Sequence, residues 1–290
     1  MLIVSAIVSG LSLGAMYGLI ALGYHVTYAV SSTVNFSQGS AVMLGAVLLY
    51  TLWITLGWPL GPAVAATLVL AALFGLVVER LLVRPFAVRG SNAWLMATVA
   101  GGIILDNAAM FLFGKEPRSL PSSLATSPIH VFGAGIYPLQ LIIPVVGVAM
   151  AVGLQILLNR TTRGKRLLAV VQNPTAARLM GIDVTRTIAV SFAASAVLAA
   201  VAGMLIAPLF SVSSDMGLVF GIKAFAVAIL GGIGSALGVM AAGFVYGLVE
   251  ALVTSLLGSS YTQILVFSAV IVALALLPNG LFGRAAVKKV

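Results

Sequence analysis

The sequence predicts an all-α fold, a polytopic bundle of membrane-spanning helices, and three observations carry that reading. The 290-residue chain is 61% hydrophobic and 7% charged, whereas a soluble domain carries roughly 25% charged residues. Its apolar runs reach the roughly 20 residues that a helix needs to cross the hydrocarbon layer, and they recur until almost nothing is left for a soluble domain. The runs are continuous and lack the alternation over about ten residues that marks a transmembrane barrel. Residues 1–290 therefore read as a single transmembrane domain.

Polar, proline and glycine breaks divide the chain into nine candidate spans, within a range of eight to ten. They cover residues 2–30, 39–56, 60–83, 93–114, 138–158, 187–210, 219–230, 236–257 and 263–277. The first has no positive charge ahead of its apolar run, so it is expected to stay as a span and not to be cleaved as a signal peptide. The run at 219–230 is short, and the glycines of "LGGIGSALG" follow it. That pattern predicts a broken or re-entrant helix, allowed only where protein or a water-filled cavity covers the backbone. Small residues at four-residue intervals predict helix backbones in close contact. They are Gly10, Gly14 and Gly18 in the first span, Ala199 and Gly203 in the sixth, and Gly234, Gly238, Gly243 and Gly247 near the end.

The net charge of +9 is explained first by orientation, because basic residues concentrate on the cytoplasmic side. Twelve of the 15 Lys and Arg residues lie in three segments: Arg80, Arg84 and Arg89 in one loop, six in residues 159–186, and Arg284, Lys288 and Lys289 at the end. With nine spans all three share one face, which should be cytoplasmic. The N-terminus and the long Pro-, Ser- and Gly-rich loop at 115–137 then lie outside. No aromatic-basic nucleic-acid motif accompanies the charge, so no nucleic-acid partner is expected. There are no cysteines, which excludes disulfides and thiolate chemistry. His25 and His130 are isolated and fit no metal spacing, so no metal is expected. A P-loop needs G-x-x-x-x-G-K-[ST]; "RTTRGKR" has Gly164 and Lys165 without the earlier glycine or a following Ser or Thr. The chain is therefore expected to bind no nucleotide and to be no enzyme.

Seven of the 21 charged residues fall in "NRTTRGKRLLAVVQNPTAARLMGIDVTR", residues 159–186. Asn173 suits an N-cap, Pro174 the first helical position, and Gly181 the residue just past the end. This predicts a two-turn helix with its own caps. Ahead of it, Leu167, Val170 and Val171 fall at helical spacing behind Arg163, Lys165 and Arg166, an amphipathic basic segment. Such a segment can lie on anionic lipid head groups, or it can dock a cytoplasmic partner that transmits force.

At this point the residues resemble a known family. "GLSLGAMYGLIALGYHVTYAV", "VNFSQGSAVMLGA", "NPTAARLMGIDVTR", "AGMLIAP" and "KAFAVAILGGIGSALGVMAAGFVYGLVE" occur in the order found in permease subunits of branched-chain amino-acid ABC importers, and the likeness runs from Gly10 to Glu250. The resemblance implies the ABC importer permease fold in a bacterial-type plasma membrane. It also implies a second permease subunit, identical or different, two cytoplasmic ATPases that use ATP, and an extracytoplasmic binding protein. Residues 159–186 then form the coupling loop, with Asn173, Pro174, Ala176, Ala177, Arg178, Leu179, Gly181, Ile182 and Asp183 meeting the ATPase. Lipid contact is a secondary role of the same basic residues. Related permeases read Asn-Phe-Ala-His-Gly where this chain has Asn35 to Gly39, so Ser37 and Gln38 are departures.

Polar groups inside spans are expensive and mark pathways or helix contacts. Asn35, Ser37 and Gln38 predict a helix break that either exposes backbone groups to a zwitterion or forms a plain turn capped by Asn35. Asp106, Asn107 and Glu250 lie within predicted spans; each carboxylate could meet a substrate ammonium, and Glu250 fits better as a partner of a basic group. Lys223 is placed near an outer boundary, as a snorkelling lysine or a gate. The leading function is import of branched-chain amino acids by alternating access. The alternatives are the same role for urea or short amides, and an ion-coupled transporter titrating Asp106 or Glu250.

Overall fold

The computed structural model describes residues 2–131, 134–277 and 280–282. Its helices in chain order are α1 (Leu2–Ser31), α2 (Gln38–Tyr50), α3 (Leu60–Val77), α4 (Arg84–Ala87), α5 (Trp94–Phe113) and α6 (Ser123–Thr126). A short hairpin, β1 (Ile129–Val131) and β2 (Ala134–Ile136), comes next. Then follow α7 (Pro138–Arg160), α8 (Thr162–Gln172), α9 (Pro174–Leu179), α10 (Val184–Ile206), α11 (Met216–Gly231), α12 (Ala236–Leu257) and α13 (Ser259–Leu276). Among the described residues, eight helical segments are long and apolar enough to cross a membrane. The ninth candidate is α11, whose 16 residues rise only about 24 Å against a core of about 30 Å. The stretch 115–137, expected as a long outside loop, carries α6 and the hairpin, with Ile129 opposite Ile136. Arg284, Lys288 and Lys289 lie outside the described residues.

The chain divides into two compact units. In the first, made of Met1–His25, Ser122–Ala151 and Lys223–Val290, the glycine stripe of α1 meets that of α12. A Cβ at Gly14 would lie 2.6 Å from the carbonyl oxygen of Gly243, and one at Gly10 would lie 2.9 Å from that of Gly247. The missing side chains are what lets the two backbones touch. Gly18 and Gly147 both face Met240. Between α11 and α12 the chain turns at Gly232, whose φ of +77° suits glycine. His25 Nδ1 donates to the Ile233 carbonyl at 2.7 Å, and Ser235 caps α12 by accepting from Gly238 N at 3.1 Å. Gly234, expected in the packing stripe, faces open space within this turn.

The second unit comprises Val26–Pro121 and Val152–Ile222, and α10 is its centre. Gly45 and Gly203 let α2 and α10 meet backbone to backbone, and Gly75 does the same for α3 against Phe192. Arg80 and Arg84, expected in a loop, lie instead in helical segments: α3 continues through a π-helical stretch, Val78–Val83, into α4. The wider π turn fits the burial of both Val78 and Val83 with Phe192 in one apolar cluster. It also sets Arg84 over buried Glu79, with Nε and Nη2 donating to the two carboxylate oxygens at 2.9 and 2.6 Å. Gly39 and Gly217 pack backbone on backbone, and α11 starts at Met216, three residues earlier than the sequence predicts.

Candidate functional site

The loop at 159–186 folds as two short helices that cap themselves. Thr161 Oγ1 accepts from Gly164 N at 3.0 Å to start α8. Any side chain at Gly164 would collide with the Leu158 backbone, so α8 turns tightly off the end of α7. Asn173 Oδ1 accepts from Thr175 N and Ala176 N, both at 3.0 Å, and Pro174 opens α9. Each such cap is worth about 1 kcal/mol. Gly181 follows the helix with φ +78°, and Asp183 Oδ1 accepts from Arg186 N at 2.9 Å to start α10.

Packing fixes which face of α9 is free. Ala177 is buried with Val30, Val170 and Val184, and Leu167, Ile182 and Ile188 pack around them. Ala176 and Arg178 stay exposed, and Leu179 and Met180 project with 84% and 81% of their surface accessible. Two large apolar side chains at the tip of an otherwise polar, well-anchored loop are suited to a partner's surface. Arg163, Lys165 and Arg166 are exposed along α8, while Val170 holds it to the core.

Asn35 and Ser37 sit in the break between α1 and α2, Gln38 opens α2, and all three are buried. Asn35 Oδ1 accepts from Ser37 N at 3.1 Å, the capping role foreseen for a plain turn. Ser37 Oγ donates to the Thr98 carbonyl at 2.7 Å. Gln38 Nε2 donates to the Ser195 carbonyl at 3.1 Å, and its Oε1 accepts from Ser195 Oγ at 2.9 Å. Two departures from the related Ala-His pair thus join α2 to α5 and α10. Thr98 and Ser195 were missed by the sequence reading; hydroxyls in apolar helices give no local sign of their partners.

On α5, Asn107 is exposed and its amide donates to Ile103 O of its own helix at 2.8 Å. Asp106 is half-buried, and its Oδ1 is enclosed without a hydrogen-bond partner. Lys223 and Glu250 come together: Nζ lies 2.5 Å from Oε1, with side-chain accessibilities of 12% and 10%. Lys223, expected near an outer boundary, lies at mid-helix in α11 because that helix starts earlier than the sequence predicts. Glu250 has the basic partner foreseen for it. Tyr17, also missed, accepts from Lys223 Nζ at 3.3 Å, and its ring stands edge-on to Tyr246 at 5.4 Å.

Continuous apolar helices, a self-capped loop with an apolar tip and a few paired polar groups define a polytopic helical membrane protein. The profile of the family described as "branched-chain amino acid transport system / permease component" matches residues 6–275, and the chain belongs to that family. It is 33% identical to the high-affinity branched-chain amino acid transport system permease protein BraD of Pseudomonas aeruginosa, over 98% of this chain and 97% of BraD. It is 32% identical to the permease protein LivH of Escherichia coli, over 97% and 96% of the two chains. A probable branched-chain amino acid permease of Methanocaldococcus jannaschii is 29% identical over 87% of this chain and 82% of its own.

Proposed function

We propose that the chain is the membrane subunit of an ABC importer for branched-chain amino acids in the inner, or plasma, membrane. It pairs with a second permease subunit, works with two cytoplasmic ATPases that bind the ATP, and receives cargo from an extracytoplasmic binding protein. Near full-length similarity to BraD and LivH supports the cargo and the assembly. The observation that carries the mechanism is the capped helix α9 with its exposed Leu179 and Met180.

In this reading α9 seats in the ATPase. Its caps make it rigid, and Ala177 and Ile182 tie it to Val30 of α1 and Val184 of α10. Closure of the ATPase pair therefore moves spans and does not merely bend a loop. A ligand or partner can bias a two-state bundle only through such differential contacts. The loop faces the cytoplasm and the N-terminus lies outside, as the clustering of Lys and Arg supports. Asn35, Ser37 and Gln38 hold the α1–α2 break to its neighbours as the bundle reorients, while Asp106 and Asn107 face the path.

Uptake of labelled leucine, with urea and a short amide as competitors, tests the cargo in cells lacking the gene and in the same cells with it restored. Loss and recovery of saturable leucine uptake is the expected result. Unchanged leucine uptake alongside lost uptake of urea or the amide would reassign the cargo.

A further inference from the structure

The first compact unit holds a buried charge pair with one end unused. Lys223 Nζ spends one N–H on Glu250 Oε1 at 2.5 Å and one on the Tyr17 hydroxyl at 3.3 Å. Glu250 Oε2 is enclosed and has no hydrogen-bond partner. A carboxylate oxygen accepts from two directions, and an ammonium carries three donors. Buried polar atoms left without partners are rare and usually have a use. Tyr246, one helical turn before Glu250, and Val249, the residue next to it, line an apolar cavity of about 220 Å³ together with Leu230, Val245, Val266 and Val270. Small-molecule sites combine apolar walls with a few convergent polar groups; the cavity supplies the walls, and the Lys223–Glu250 pair lies beside its lining and not within it.

We propose that Lys223 and Glu250 are the charged anchors of a transient site for a zwitterionic amino acid. This deepens the reading of the chain as an amino-acid permease and rests on it. The substrate ammonium is received by Glu250 Oε2, its carboxylate by Lys223 Nζ, and its apolar side chain lies toward the cavity. An α-amino acid carries its two charges on one carbon, so they are side by side, as are the free oxygen and the lysine head. One protein ion pair is exchanged for two protein–substrate pairs, so charge stays paired whether the site is full or empty. An unpaired charge in the membrane interior would be costly. The flexible four-carbon stem of lysine permits the exchange, and Tyr17 holds the lysine head when the site is empty.

The test is equilibrium binding of labelled leucine to the assembled permease–ATPase complex in lipid nanodiscs without the binding protein. Competitors are 4-methylpentanoate, which lacks the ammonium, and isopentylamine, which lacks the carboxylate. In the wild type, leucine binds saturably and each analogue competes at least about tenfold more weakly, a difference of about 1.4 kcal/mol. The doubly neutral K223M/E250Q complex loses leucine binding by at least about tenfold and no longer prefers leucine to the analogues. Absence of saturable binding in the wild type, equal competition by the analogues, or retained binding in the assembled variant overturns the site. The wild-type analogue series decides the matter even if the variant fails to assemble. Leucine uptake by the complete wild-type system is measured in parallel: uptake without this binding sinks the site alone, and no uptake sinks the permease reading itself.

Discussion

Gln38 and Ser195 hold each other by two reciprocal hydrogen bonds, 3.1 Å from amide to carbonyl and 2.9 Å from hydroxyl to amide oxygen. The first residue of α2 is thereby fixed to the middle of α10, at a place where both residues are fully buried. Hydrogen bonds between membrane helices are worth about 0.6 kcal/mol on average and up to about 1.7. A double-mutant cycle on Gln38→Leu and Ser195→Ala, followed by unfolding of the purified protein, is expected to show a coupling of about 1 kcal/mol. Additive effects would mean that the pair is incidental.

The α1–α12 contact leaves no room for side chains. Gly243→Val places a Cβ about where the Gly14 carbonyl and the Gly18 backbone lie, at 2.7 and 2.8 Å. It is expected to cost at least about 3 kcal/mol, the upper range for overpacking, and to lower the yield of folded protein. Gly153 of α7 has open space around it, so Gly153→Ala is expected to stabilise by up to about 1 kcal/mol through helix propensity. Thermal unfolding of the two variants side by side checks the contrast.

Removing one member of the Lys223–Glu250 pair leaves the other buried without its counter-charge. Lys223→Met and Glu250→Gln are each expected to destabilise by about 3 kcal/mol or more. The double variant should be more stable than the less stable single. A double variant as unstable as the sum of the two singles would show that the charges do not act as a pair.

Asn173→Ala removes the acceptor for two backbone amides and is expected to cost about 1 kcal/mol locally. Hydrogen exchange of the Thr175 and Ala176 amides should rise, while Asn173→Asp keeps their protection. At Gly181 the φ of +78° makes any β-branched residue strained, so Gly181→Val should loosen the same segment. Exchange unchanged in both variants would mean that packing of Ala177 alone holds α9.

The parts legible in the sequence are those decided by nearby residues. The caps of α9 lie within nine residues of one another, and the structure places Asn173, Pro174 and Gly181 in the positions their chemistry suggests. The span boundaries that moved were set by distant contacts. α11 starts earlier where Gly217 packs on Gly39, and the Arg80–Arg84 stretch is helical where Val78 and Val83 cluster with Phe192. Polar pairing was the least legible part. Gln38 meets a residue 157 positions away, and Tyr17 meets one 206 positions away. In an apolar helix one serine or tyrosine looks much like another until the helices are packed.

The most direct test of the coupling role of α9 is leucine transported per ATP hydrolysed in proteoliposomes holding the complete transporter. The comparison is between the wild type and Leu179→Asp/Met180→Asp. Because both side chains are more than four-fifths exposed, stability should change by no more than about 0.5 kcal/mol per site. Transport per ATP is expected to fall by about tenfold, as the loss of about 1.4 kcal/mol of contact implies. An unchanged ratio in a variant that still assembles with its ATPases would contradict the assignment of α9 as the element that couples them.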